Sequence, residues 1–391
     1  MSLNKIISTN IQNTLSFISR KYADVKCEDR FVVTVKTIRK FIKDVMTKAG
    51  CSDENAEELA TVLTMADSYG VYSNGINRLE QIFNEVKNGT CNGKGEPCVV
   101  GETKTTALIN GDNAPGPTIA NFTMRKAISM AKDTGIGIAS AYDCHHYEFG
   151  RKYVLDAIRN NCIAFAFMNS APVMMPANAK EVVLGTNPLT VGAPGQCDDK
   201  FLFNCKCTKV SIEEVDYLKK TQGCVPDTWA LDNALKPLAD PYQIVDCPRL
   251  LPVGGTHKSP SFKASGLAMA IEILTGVLSG GAFDTEHRQH GDCSCKPNLS
   301  MTFMVINAPC FTSNYKYRMQ TFMNSLLDVE PIDPDKPVQI PGHKEEENKK
   351  RTIKSGIISY PEPMFLYLDS IAGHAGIPPI QRKKQTVLVK Q

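Results

Sequence analysis

The sequence predicts an α/β fold in which a mixed sheet is flanked by helices and joined to a helical lobe built from the N- and C-terminal parts of the chain. Three observations predict it. Residues 31–89 carry three capped, apolar-periodic segments. Residues 105–207 alternate short apolar strand signals with amphipathic helices. The most apolar stretch, SGLAMAIEILTGVLSGGAF (265–283), reads as one long helix followed by a further strand.

The elements follow in order. VVTVKTIRKFIKDVMTKAG reads as a helix ending at Gly50, SDENAEELATVLTMADSYG as a helix capped by Ser52 or Asp53, and NRLEQIFNEVKNG as a helix ending at Gly89. Caps, acidic first turns and terminal glycines agree with the apolar period. TTALING (105–111) is strand-like and leads through GDNAPGP (111–117) into a helix that stops near Gly135. Such a turn offers backbone amides to a phosphate, but it has neither GxGxxG spacing nor a Walker lysine. IGIASAYD, FGRKYVLDAIRNN and CIAFAFMNS (136–170) give strand, helix, strand, the pattern of a sheet covered by helices. LGTNPLTVGAPG (184–195) and FLFNCKC (201–207) add strands, and a helix lies near 211–221. Glu272 and the flanking glycines make 265–283 a buried core helix rather than a membrane span. MTFMVINA is a strand and SNYKYRMQTFMNSLLDV a helix, after which a proline-rich connector enters a charged, solvated helix. The expected organisation is an N-terminal extension (1–30), a helical lobe (31–104) onto which part of 310–391 packs back, a mixed α/β domain (105–309) and a C-terminal helical segment (310–391).

Composition narrows the function. With 391 residues, 42% hydrophobic and 22% charged, the chain can bury a sizeable core. A net charge of +3 with no basic stretch interleaved with aromatics argues against a nucleic-acid partner. The 14 cysteines run from Cys27 to Cys310 without a CxxC pair, which favours reduced thiols and no metal site. Residues 1–23 hold Lys5, Arg20 and Lys21 but no acid, so both a mitochondrial presequence and a docked N-terminal helix fit, and the expected compartment is the cytoplasm with mitochondria as the alternative.

The stretch GVYSNGINRLE (70–80) gathers a hydroxyl, an amide and a guanidinium at one helix break. Two readings fit it. Ser, Asn and Gly suit a capped junction, and Arg78 with Ser73 and Asn74 suits a pocket for a small carboxylate, because a guanidinium is a planar, two-pronged donor.

The ordered set SNGINR (73–78), DCHHYEFG (143–150), NSAP (169–172), LGTNP (184–188), WALD (229–232), LPVGG (251–255) and EILTGVLSGGAF (272–283) resembles the type 2 malate/L-lactate dehydrogenase family, which includes sulfolactate and ureidoglycolate dehydrogenases. The resemblance spans roughly residues 31–375. It implies a non-Rossmann NAD(P)-binding fold, hydride transfer between nicotinamide and a small 2-hydroxy or 2-oxo acid, and a homodimer whose subunits both line each active site. It also implies catalytic roles for Ser73, Asn74, Arg78 and His146, with Arg78 gripping the substrate carboxylate and His146 moving the proton. Asn74 departs from the family, which has histidine there, and His145 stands at a position where the family has asparagine.

On the cofactor side the resemblance implies Ser170 beside the nicotinamide, and Asn204, Cys205, Lys206, Lys263, Pro341 and Gly342 along the nucleotide, with either NAD or NADP as cofactor. Here the family's Pro-Trp-Gly-Gly reads PANA (176–179), its Asp-Met-Ala-Thr reads NCKC (204–207), its Lys-Gly-Tyr-Gly reads KASG (263–266) and its Pro-Gly-Glu reads PGH (341–343). Those departures carry the alternative, a catalytically impaired paralogue kept as a ligand-binding or structural protein.

Overall fold

The computed structural model describes residues 25–256, 260–283 and 286–390. The presequence expectation for residues 1–23 lies outside them. The described residues open with strand β1 (Val25–Thr34), helices α1 (Val35–Ala49) and α2 (Asp53–Ser68), two short 3-10 turns (Tyr72–Asn74 and Ile76–Arg78) and α3 (Leu79–Lys87). There follow β2 (Cys98–Glu102), β3 (Thr106–Asn110), α4 (Gly116–Thr134), β4 (Ile136–Cys144), α5 (Gly150–Arg159), β5 (Cys162–Met168), β6 (Leu189–Pro194) and β7 (Lys200–Cys205). Next are α6 (Ile212–Lys220), the two-residue strands β8 (Ala230–Leu231) and β9 (Pro237–Leu238), α7 (Pro241–Asp246), and α8 (Phe262–Glu272), which runs into a π-helical turn at Ile273–Val277. The chain closes with β10 (Leu299–Asn307), α9 (Tyr315–Leu327), α10 (His343–Ser355), β11 (Ile357–Pro361), α11 (Glu362–Ala375) and β12 (Lys383–Lys390).

Seven strands form one mixed sheet in the order β2-β3-β4-β10-β5-β6-β7. Only β3 and β4 run parallel, so this is a mixed α/β architecture and not a doubly wound parallel sheet. Pleating divides β5 between two layers: Ala164, Ala166 and Met168 pack with Ile119 and Met124 of α4 and Tyr153 and Val154 of α5, whereas Phe165 and Phe167 pack with Ala268 and Ile271 of α8. A second core joins α1, α2 and α3 to α11.

Three sequence expectations are corrected. Val32, Val33 and Thr34 pair antiparallel with Ser359, Ile358 and Ile357, so α1 begins only at Val35, where the Thr34 hydroxyl accepts the amide of Thr37 at 3.1 Å. This β-branched run reads locally as the start of a helix, and a partner more than 300 residues away makes it a strand. The C-terminal segment is not helical alone, because β11 and β12 flank β1 in a three-stranded sheet that ties the two ends of the chain together. The helix of 265–283 is not buried all round: Ala268 and Ile271 face the sheet, but Phe262, Ile273, Val277 and Leu278 are each more than half exposed. In addition, residues 184–188 precede β6 without joining it, since Asn187 takes a left-handed backbone (φ 38°) and Pro188 follows it. Among the described residues no helix is long and apolar enough to cross a membrane.

Candidate active site

The helix break after α2 is pinned by one buried acid. Asp67 Oδ2 accepts the Ile76 amide at 3.0 Å and the Tyr360 hydroxyl at 2.7 Å. A Cβ at Gly75 would stand 1.8 Å from Asp67 Oδ1, so only glycine fits the turn. Burial pushes the Asp67 carboxyl up to about 8, since both of its partners are neutral. The pinned break delivers Arg78 to the wall of a cavity, while Ser73 and Asn74 are buried beside it, off the lining. Asn74 Nδ2 donates to the Glu148 carbonyl at 3.0 Å.

The cavity floor is a chain of buried charged and polar groups. Arg78 Nε donates to Glu148 Oε2 at 2.9 Å and its Nη1 to Gln81 Oε1 at 2.6 Å, and among the described residues its Nη2 has no partner. Burial opposes the guanidinium charge, yet Glu148, Glu213 and Glu85 hold its pKa above the ordinary value. Gln81 donates onward to Glu85 Oε1 at 2.9 Å, and Glu85 is met by Arg288 and by His145 Nδ1 at 3.2 Å. Burial works against the Glu85 carboxylate, but His145 and Arg288 bring it down to about 2. His145 Nε2 faces the Thr90 carbonyl at 3.1 Å and Asn113 Oδ1 at 3.0 Å. Both ring nitrogens thus face acceptors, and both bonds exist only when the ring carries two protons.

His146 lines the cavity from the β4–α5 loop. Its Nδ1 accepts the Glu148 amide at 3.0 Å and lies 3.5 Å from Glu148 Oε2. In a neutral ring Nδ1 accepts the Glu148 amide hydrogen bond and Nε2 carries the proton, whereas a doubly protonated ring gives up that bond and has the Glu148 carboxylate as the acceptor facing Nδ1–H. Gly116 at the start of α4 closes that side, where a Cβ would come within 1.9 Å of the His146 carbonyl.

Ser170 lines the same cavity, and three of the sequence motifs lock it in place. Its hydroxyl is 3.1 Å from that of Thr186, and its amide donates to Asn187 Oδ1 at 3.2 Å. Asn187 Nδ2 donates to Glu272 Oε1 at 3.0 Å, and Asn169 Nδ2 donates to Glu272 Oε2 at 3.2 Å. The acid that interrupts the most apolar stretch is therefore the shared acceptor for NSAP and LGTNP.

The family model described as malate/L-lactate dehydrogenase matches residues 33–368. The chain belongs to the malate/L-lactate dehydrogenase family. It is 29% identical over 340 residues to a malate dehydrogenase of Pyrococcus horikoshii, covering 86% of this chain and 93% of that protein. It is 28% identical over 343 residues to the ureidoglycolate dehydrogenase (NAD(+)) of Escherichia coli K12, covering 87% and 95%. The crystal structure of malate dehydrogenase from Entamoeba histolytica superposes with a TM-score of 0.83 at 25% identity, covering 90% of this chain and 99% of that one.

In this family member the expected cofactor residues divide into three places. Ser170 sits in the cavity with Arg78 and His146. Asn204 and Cys205 end the edge strand β7, and Lys206 reaches Glu213 Oε2 of the cavity wall at 3.3 Å. Pro341 and Gly342 run beside the same strand, with the Leu202 amide donating to the Pro341 carbonyl at 3.0 Å and His343 Nε2 3.0 Å from Asp199 Oδ1. Lys263 is exposed on α8, where PANA and KASG meet through a bond from the Ala177 amide to Ser265 Oγ at 2.9 Å. The sequence reading missed Gln81, Glu85, Glu148, Glu213, Arg288 and His290, of which only Glu148 lies inside one of its motifs.

Proposed function

We propose that the protein is an NAD(P)-dependent oxidoreductase that transfers a hydride between nicotinamide and a small 2-hydroxy or 2-oxo acid of the malate/lactate type. The observation that carries this reading is the open Nη2 of Arg78 in one cavity with His146 and Ser170. Arg78 binds the substrate carboxylate through its remaining N–H groups, and the Glu148–Gln81 clamp fixes the guanidinium plane. His146 gives its Nε2 proton to the developing alkoxide from the doubly protonated ring and is left neutral with its proton at Nδ1, facing the Glu148 carboxylate.

The residues present fit a nicotinamide cofactor. Ser170 offers a locked hydroxyl inside the cavity, and the strip from Lys206 along β7 to Gly342 starts at the cavity wall. When bound, the cofactor supplies the hydride. The chain's own part is to orient substrate, exclude water and handle the proton. The exposed apolar face of Phe262, Ile273, Val277 and Leu278 supports a homodimer.

The test is NADH and NADPH oxidation by the purified full chain over a panel of 2-oxo acids. The His146→Ala variant should lose on the order of 10²–10⁴-fold in kcat with its circular dichroism unchanged. Turnover indifferent to that change refutes the mechanism. A second reading, the catalytically impaired paralogue, is favoured by the close PANA–KASG contact where the family has glycines. Calorimetric binding of NADH or NADPH without turnover would select it.

A further inference from the structure

Glu213 stands at the first turn of α6 and lines the cavity with the same sign of charge as the substrate the site is expected to hold. Its Oε2 meets Lys206, but among the described residues its Oε1 accepts no hydrogen bond, although the side chain is only 8% exposed. The other cavity carboxylates are committed, Glu85 to Arg288 and His145, and Glu148 to Arg78. One substrate carboxylate is met at Arg78, and a second placed beside Glu213 would face a like charge whose nearest cation, Lys206, is already paired with it.

The cavity does not end at Glu213. Arg78, Gln81, Glu213 and His290 also line a neighbouring groove, so the two spaces adjoin at Glu213 and His290, on the side towards which the far end of an acid held at Arg78 would extend. Burial pushes His290 below the usual histidine value, with Arg78 and Arg288 adding to it against Glu213 and Asp216. A neutral ring adds no positive charge to attract a second carboxylate.

We propose that Glu213, with His290 beside it, determines substrate choice: the site takes a 2-hydroxy or 2-oxo acid with a single carboxylate and a far end that donates hydrogen bonds, such as an amide or amino group, and disfavours a dicarboxylate. This rests on the dehydrogenase reading for the direction of the substrate, with its carboxylate at Arg78.

A matched pair tests it: oxaloacetate against 2-oxosuccinamate, in which the distal carboxylate is an amide, with NADH and NADPH as reductants. The wild-type chain should favour the amide by about 10-fold or more in kcat/KM, the scale on which a committed polar group discriminates between partners. Glu213→Gln should cut that ratio at least about 10-fold, and so should the charge-balanced Lys206→Met/Glu213→Gln variant, because local recognition and not net charge sets the choice. Equal or better use of oxaloacetate by the wild type, or a ratio unchanged in Glu213→Gln, overturns the proposal. Calorimetry with malate and 2-hydroxysuccinamate separates this outcome from failure of the dehydrogenase reading. Tighter binding of the amide, erased by Glu213→Gln, sustains the proposal even if no 2-oxo acid is reduced. If neither ligand binds, it falls.

Discussion

Around Arg78 the charged groups are buried and met: Glu148, Gln81, Glu85, His145 and Arg288 form one continuous chain of contacts. Along β7 and α8 the residues expected to serve the cofactor are spread over surfaces, with Asn204 and Lys263 exposed. The difference has a physical cause. A small anionic substrate must leave water for a low-dielectric site, so its partners have to be fixed before it arrives. A dinucleotide is long and keeps part of its surface in solvent, so a strip of backbone and a few side chains suffice. The substrate side is therefore where single substitutions cost folding as well as activity.

The largest effect should come from removing one member of the floor. Arg78→Ala leaves Glu148 as a buried, uncompensated charge, which costs about 3–5 kcal/mol of stability. Lys263→Ala on the cofactor side removes an exposed side chain and should stay within about 0.5 kcal/mol. Urea unfolding of both variants checks the contrast, and equal losses would break it.

A second prediction concerns acid. Glu85 has a folded pKa of about 2 against an ordinary 4.5, so its contribution is complete above pH 4.5 and is lost as pH falls through 2. That shift corresponds to about 3 kcal/mol. Glu85→Gln should therefore be less stable than wild type by about 3 kcal/mol at pH 7, and the gap should close towards pH 2. A gap that stays constant across this range would show that the floor is not held by ionisation of Glu85.

The same contrast governs what was legible in the sequence. The strand–helix alternation over 136–168 and the caps of α2 and α3 are local signals, and the structure contains those elements. β1, β11 and β12 depend on pairing between the two ends of the chain, and no local window carries that. Arg78, His146 and Ser170 stood inside motifs. Glu85 did not: in NRLEQIFNEVKNG it reads as an ordinary helical acid, and only His145 and Arg288, brought in from distant loops, make it a buried anchor. Glu272 was visible as an anomaly in an apolar run, but its meaning required Asn169 and Asn187 to converge on it.

The smallest expected effect on catalysis within the buried region around Arg78 is at Asn74. If residue 74 alone limited the rate, the sequence would lead one to expect that the family's histidine there places an imidazole against the substrate and raises kcat/KM by about 10-fold or more. The structure alters that expectation, because the Asn74 side chain is buried away from the cavity lining and is spent on the Glu148 carbonyl. An imidazole can renew that bond through a ring N–H, but it is larger, and overpacking a buried site typically costs about 1–3 kcal/mol. Asn74→His should therefore lower the thermal midpoint while leaving kcat/KM within about threefold, since Arg78 and His146, the groups proposed to meet the substrate, are unchanged. A tenfold rise would mean that the helix break shifts to bring residue 74 to the substrate, and the division between a fixed floor and an adaptable periphery would have to be redrawn around it.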